Sequence, residues 1–468
     1  MKNFKNYLLI ILVAAVGCDV LDQQPQTAIS DEIAIRDLKS AQAALNGLYS
    51  QVQSTNYYGS NLQISGDVSS DISQSIGTWD FYREMDTYVT SAGNLEVRNL
   101  WEQMYSTVNH ANNIIADVPN IEEIPQATKD QILGEAYFIR ALAFFDLTRT
   151  FGGTDGGYGE QGIPIVTAPS RQIDENSFPS QASIADSYQQ VRNDLEQAET
   201  LLATAGFSSP NRASDASAKA LLSRLDLYTE DFEGAEGYAT EVIDDYAFDL
   251  VENFADIFAN ENTIEAIFEL TYNTTDGNDI RFWYFPSSGG GRGDIALHED
   301  YVDMVNSRPN DERGDLIGFD ANVGAYYSTK YAKAGGDDNI QVLRLAEMYL
   351  NRAEARTRKT PTDFAGALAD LNEVRNRAGL VDTTGAGVAT ADQILDAIEH
   401  ERGIEFIQEG HRWYNLVRTG NALNILTNID RLNGDPVSLT EAGRQVFPIP
   451  SREMDANSEN LDQNDAYE

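Results

Sequence analysis

The chain has 468 residues, a formal net charge of -41 and a sequence pI near 4.2. That charge excludes nucleic acid as a partner and leaves no polybasic patch for anionic lipid. Hydrophobic content of 42% and aromatic content of 10% suffice for a large core, so the chain as a whole is not disordered. One cysteine in the whole sequence leaves neither a disulfide framework nor a thiolate metal site, and stability must come from packing.

That cysteine, Cys18, closes a leader. Lys2 and Lys5 give a basic start, Leu8 to Val16 a short apolar run, and Ala15, Val16 and Gly17 precede the thiol. Nine apolar residues are too few to cross a ~30 Å hydrocarbon core, so the segment targets the chain and is removed. It resembles a bacterial lipoprotein signal, in which Cys18 would be acylated and become the new N-terminus. The expected organisation is a signal peptide over 1–17, a lipidated polar tether over 18–30 and one ligand-binding domain over 31–468. No later apolar run is long enough to span a bilayer, so the mature chain is expected to be tethered, not inserted.

Residues 31–53 read as the first helix. Residues 54–93 break into Gly, Ser, Asn, Asp and aromatics, long for a loop and therefore a functional candidate. Residues 94–118 are helical again, with Trp101, Tyr105, Val108 and Asn112 at helical spacing. Leu133, Tyr137, Ala141, Phe144 and Thr148 line one face of the next helix. Leu221, Leu225 and Tyr228 are answered after a short turn by Phe232, Ala235, Ala239 and Val242. Leu343, Ala346, Leu350 and Ala353 are answered by Phe364, Leu368, Leu371, Val374 and Ala378. A last helix starts at Ile394 and runs on to Arg418. Helix pairs with small residues at their crossings predict a mostly α fold of tetratricopeptide-like repeats in one domain. Between 247 and 333 the pattern is interrupted: residues 263–271 read as a strand, 274–279 as a turn, and 282–286 as an aromatic loop.

Several motifs dissolve on inspection. Residues 157–162 match G-x-G-x-x-G, but a helix precedes them and Ile163-Pro164 follows, the wrong setting for a pyrophosphate. His400-Glu401 begins an H-E-x-x-H motif that Ile404 ends; His110, His298 and His411 have no metal spacing. Residues 275–279 carry oxygen ligands near a glycine but are too short for an EF-hand and read as a turn. Glu405 and Glu409, one helical turn apart, have the spacing of a glycosidase pair. Arg402 and Arg412 flank them and favour ionised carboxylates, so a structural ion network is the preferred reading. No catalytic residue, cofactor or metal is assigned.

Trp101 and Trp413 lie in helical blocks and belong to the core. Trp79 does not: it sits in the first irregular stretch with Tyr82 and Arg83, downstream of Asp71. Trp283 sits in the second, with Tyr284 and Arg292. An indole face suits the C–H face of a sugar ring, and neighbouring acids and guanidinium groups suit its hydroxyls. These seven residues are the ligand-binding candidates.

Four blocks now stand in order: residues 134–147 (GEAYFIRALAFFDL), 344–355 (RLAEMYLNRAEA), 371–380 (LNEVRNRAGL) and 401–418 (ERGIEFIQEGHRWYNLVR). A tail, FPIP at 447–450 and NLDQN at 460–464, completes them. Together they resemble the SusD/RagB family of outer-membrane nutrient-binding lipoproteins, over nearly the whole mature chain. Gly403 stands where a second Arg is common, and Asn415 where Asp is usual. The resemblance implies a non-catalytic, surface-exposed lipoprotein on the outer membrane. It would capture oligosaccharide and pass it to a SusC-like TonB-dependent barrel. A peptide receptor of the same architecture is the alternative, and a secreted glycoside hydrolase a more distant one.

Overall fold

The computed structural model describes residues 35–152, 160–172, 178–432 and 434–467. Cys18, the leader and the tether lie outside them, as do Gly157 and Gly159 of the glycine motif.

The chain enters α1 (Leu38–Gln53) through a capping box in which Asp37 and Ser40 satisfy each other's free N–H groups. This helix starts later than residue 31, at its cap. The stretch expected to be one loop holds three elements: α2 (Asn61–Val68), β1 (Ser73–Ser75) and α3 (Asp80–Asp86). Periodicity misses α2 because all eight of its residues are buried, so it has no polar face to alternate with. Its polar side chains find interior partners instead: Asn61 Nδ2 donates to the Glu96 carbonyl at 2.9 Å and Ser65 Oγ to Asn61 Oδ1 at 3.0 Å.

The long helices follow as antiparallel neighbours. α4 (Leu95–Asp117), N-capped by Asn94, packs on α5 (Gln126–Phe151). After the hairpin of β2 (Gln161–Pro164) and β3 (Gln181–Ser183), α5 packs on α6 (Ile184–Leu202). A Cβ on Gly134 of α5 would lie 2.6 Å from Leu202 Cγ of α6, so the small residue is what lets these two helices close. The predicted pair is α7 (Asp215–Tyr228) and α8 (Phe232–Asp245).

The interruption then brings α9 (Asp256–Ala259), β4 (Ala266–Leu270), α10 (Ile280–Tyr284), β5 (Ile295–Leu297), α11 (Glu299–Asn306), β6 (Ile317–Asp320), β7 (Ala325–Ser328) and β8 (Ile340–Arg344). The expected strand over 263–271 is β4, paired antiparallel with β8; the aromatic loop expected over 282–286 is largely the short helix α10. The scaffold resumes with α12 (Leu345–Arg358), α13 (Phe364–Arg377) and α14 (Ala391–Glu405). The last helix does not run through to Arg418. It stops at Glu405, Gln408 and Gly410 adopt φ of 56° and 76°, and α15 (Arg412–Arg418) starts afresh. α16 (Ala422–Ile425) and α17 (Ser451–Asn457) complete the chain. Trp101 and Trp413 are 4% and 2% exposed and belong to the main core.

Candidate functional site

A small antiparallel sheet in the order β1-β5-β7-β6 joins the two irregular regions. Ser73, Gln74 and Ser75 pair with Leu297, Ala296 and Ile295. The N–H groups of Ile76 and Gly77 then donate to the Asp294 carbonyl, at 2.8 and 3.2 Å. The chains lie so close that a Cβ on Gly77 would fall 1.9 Å from Asp294 Cγ. This seam carries Trp79, just after β1, up against Trp283, just before β5.

The two indoles meet with ring centroids 5.8 Å apart. Phe81 stands edge-on to Trp79 at 5.5 Å and Phe282 edge-on to Trp283 at 5.2 Å. Arg292 lies over both indoles, 5.4 Å from the Trp79 centroid and 5.1 Å from that of Trp283, a cation–π arrangement. Asp294 holds that guanidinium at 2.7 Å, and Nη2 reaches Thr78 Oγ1 at 3.3 Å. Trp79 is half-buried, its Nε1 donating to Glu96 Oε1 at 3.0 Å. Phe282 is 44% exposed, whereas Trp283 is 9% exposed. The result is an aromatic platform with an exposed rim and a fixed underside.

Tyr82 belongs to the underside: its ring meets Trp283 edge-on at 5.1 Å and is buried. Tyr284 points further inward and donates its hydroxyl to Asp67 of α2. Burial pushes the Asp67 carboxyl up to about 8, although Tyr284 and the Gly410 N–H both favour its ionised form. Arg83 is exposed on α3 and paired with Asp80. Asp71 faces away and takes both Nε and Nη2 of Arg412, each at 2.8 Å. Trp79, Tyr82, Trp283 and Arg292 therefore converge, while Asp71 and Tyr284 are engaged elsewhere. Phe81 and Phe282 join the cluster without having been singled out; their adjacency to Trp79 and Trp283 in sequence was the available signal.

Glu405 and Glu409 form the expected ion network, with different partners. Glu405 accepts from Arg313 at 3.0 Å, from Arg344 at 2.5 Å and from Arg377. Glu409 takes Lys330 at 2.7 Å and Arg344 at 3.0 Å. Burial alone would raise the Glu405 carboxyl, but Arg377, Arg344 and Arg313 outweigh it and hold it well below the usual range. Such a group stays ionised and cannot serve as a general acid near neutrality. Arg402 turns instead to Asn351, and Arg412 to Asp71. The expected turn is a tight one at Thr274 and Thr275, between the paired residues Asn273 and Asp276, with Asn273 Oδ1 accepting from the N–H groups of Thr275 and Asp276 at 2.9 and 3.2 Å.

Two family profiles divide the sequence between them. The SusD family profile matches residues 239–467, and a profile described as starch-binding, associating with the outer membrane, matches 19–227. The chain belongs to the SusD/RagB family. A SusD-like protein of Formosa agariphila is 26% identical over the full length of both chains. The starch-binding protein SusD of Bacteroides thetaiotaomicron is 33% identical over 135 residues, 28% of this chain and 22% of that one. The crystal structure of a SusD superfamily protein from the same organism superposes with a TM-score of 0.81 at 28% identity, covering 92% of this chain and 100% of that one. Members of the family are non-catalytic binding proteins, associated with carbohydrate and the outer membrane. The mostly helical fold is theirs.

Proposed function

We propose that this protein captures oligosaccharide at the cell surface on the Trp79–Trp283 platform and delivers it to a SusC-like TonB-dependent barrel. The observation that carries the reading is the meeting of the two indoles, drawn from segments far apart in the chain, under one guanidinium. The half-buried Trp79 and the exposed Phe282 ring offer stacking to sugar rings, and Thr78, Asp80 and Arg83 on the rim offer hydroxyl partners. Family membership supports a binding role, and the relative named as a starch-binding protein supports a glycan. In this reading residues 1–17 are removed, Cys18 is lipidated, 18–30 tether the chain to the outer membrane and 31–468 form the receptor.

A glycan-panel screen followed by calorimetry on Trp79→Ala tests the site. Truncating a central aromatic anchor costs about 2 kcal/mol or more, roughly thirtyfold in affinity. Equal affinity of wild type and variant for the best ligand would leave Trp79 a loop anchor only. Binding of peptides without glycans would replace the sugar by a peptide and keep the receptor. Co-purification of the mature protein with a TonB-dependent barrel tests delivery.

A further inference from the structure

One arginine beside the platform has no carboxylate partner, in a chain with 74 acidic residues against 33 lysines and arginines. Arg281 stands in α10, directly before Phe282. Ile280, Trp283 and Tyr284 bury one side of this short helix, so the helical turn puts Arg281 and the exposed Phe282 side by side on the other. Among the described arginines every other one except Arg36 pairs with a carboxylate. That includes the two other arginines of the platform: Arg292 has Asp294, and Arg83 has Asp80.

The Arg281 guanidinium is held in place without being neutralised. Its Cζ lies over the Phe285 ring, 4.4 Å from the centroid. Nε donates to the Ala332 carbonyl at 3.2 Å and Nη2 to the Gly289 carbonyl at 2.6 Å. Nη1 has no hydrogen-bond partner among the described residues. Gly289, Gly290 and Gly291 pass beside it with no side chain to offer. Gly290 takes φ of 89°, and a Cβ there would meet Arg281 Nη1 at 4.0 Å and nothing nearer. The loop therefore leaves the free edge of the guanidinium uncovered.

We propose that the platform selects acidic oligosaccharides, with the carboxylate or sulfate ester of one sugar set on Arg281 Nη1 while a ring stacks on Phe282. This rests on the reading of the platform as the glycan site. A sugar hydroxyl would accept a hydrogen bond but leave the charge unmatched; an anionic oxygen makes the stronger, charge-assisted bond. The net charge of -41 does not forbid this. Exposed charges more than about 8 Å apart are largely screened at physiological ionic strength, so the unpaired cation at the rim decides locally.

Calorimetry on the mature protein tests it with oligosaccharides of glucuronate, galacturonate and mannuronate, each beside its methyl ester, and with sulfated oligosaccharides beside their desulfated forms. At least one acid should bind about tenfold more tightly than its neutral partner, and the arm in which it does so tells carboxylate from sulfate. Arg281→Gln should bring that acid to the affinity of its neutral partner and leave the neutral partner unchanged. Equal affinities within every pair overturn the proposal and leave the platform a site for neutral glycans; if no glycan binds at all, the platform reading falls with it. Equal loss of acid and neutral binding in Arg281→Gln also overturns it, because the arginine is then only an anchor of the glycine loop. If that variant does not fold, Gly290→Asp and Gly290→Asn take its place. Both residues accept a left-handed backbone, and only Asp brings a carboxylate to Nη1. Asp should abolish the preference for the acid and Asn keep it; the same preference in both overturns the proposal.

Discussion

Replacing Glu405 by Gln isolates the charge at the centre of the buried ion network while keeping the shape of the side chain. Glu405 is 0% exposed, and its carboxylate faces Arg313, Arg344 and Arg377, themselves 1%, 2% and 9% exposed. The amide keeps one acceptor oxygen but turns an NH2 group toward a guanidinium and leaves the cations with one negative charge fewer. Breaking a buried network by removing one partner costs roughly 3–5 kcal/mol. At about 2.1 cal/mol/K of unfolding entropy per residue, over a chain this long, that is a fall in Tm of roughly 3–6 °C. The control is Asp80→Asn, which breaks the exposed Arg83–Asp80 pair, with side chains 49% and 77% exposed; it should cost no more than about 0.5 kcal/mol. The pH dependence has a fixed sign. Because the folded pKa of Glu405 lies below its unfolded value, its contribution is fully present above the unfolded pKa, about 4.3, and is lost as pH falls through the folded pKa. Wild type should therefore lose its advantage over Glu405→Gln only in strong acid. Differential scanning calorimetry of the three proteins at pH 7 and at acid pH measures this. Equal melting of Glu405→Gln and wild type at pH 7 would refute the network as a source of stability.

Asp67→Asn tests the opposite sign. The folded pKa of Asp67 is raised to about 8 by burial, so the folded state keeps a proton that the unfolded state releases. Wild-type stability should fall from about pH 4 to about pH 8, and the variant, followed by urea melts across that range, should lose this slope; parallel profiles would contradict the assignment. Gly77→Ala places a Cβ where Asp294 Cγ now lies, which should displace the anchor of Arg292 and weaken glycan binding by about tenfold, or about 1.4 kcal/mol, with unchanged helical circular dichroism. Cys18→Ala should abolish labelling by an alkyne fatty acid; equal labelling of wild type and variant would end the lipoprotein reading.

The helix pairs were legible because their apolar faces and small crossing residues repeat at helical spacing, as in α7 with α8 and α12 with α13. α2 was not, since a helix buried on all sides has no polar face to reveal its period. The break after Glu405 was hidden for a different reason: Gln408 takes a left-handed conformation that its identity does not announce. That break also explains the ion-network partners. Arg402 and Arg412, neighbours of Glu405 and Glu409 in sequence, are turned toward Asn351 and Asp71, and the true partners come from β8, α13 and the segment after α11. In the site, the sequence showed two aromatic segments, each suspicious on its own. It could not show that three residue pairs between β1 and β5 bring them together.

The same seam bears on how the platform would bind. A ligand that must order a loop loses affinity to that ordering, and a tryptophan on a loose loop could lower binding on mutation simply by loosening it further. Trp79 and Trp283 are not so placed. Tyr82 supports Trp283 from below, the next residue, Tyr284, is tied to Asp67 of α2, and the other oxygen of Asp67 accepts from the Gly410 N–H at 3.2 Å. Gly410 directly follows Glu409, which grips Lys330 and Arg344 in the ion network. Contacts thus run without a gap from the platform rings to the buried charges that hold the last helices. With the platform already fixed before ligand arrives, the affinity lost in Trp79→Ala measures contact with the ligand, and mutations in the network should change melting far more than binding.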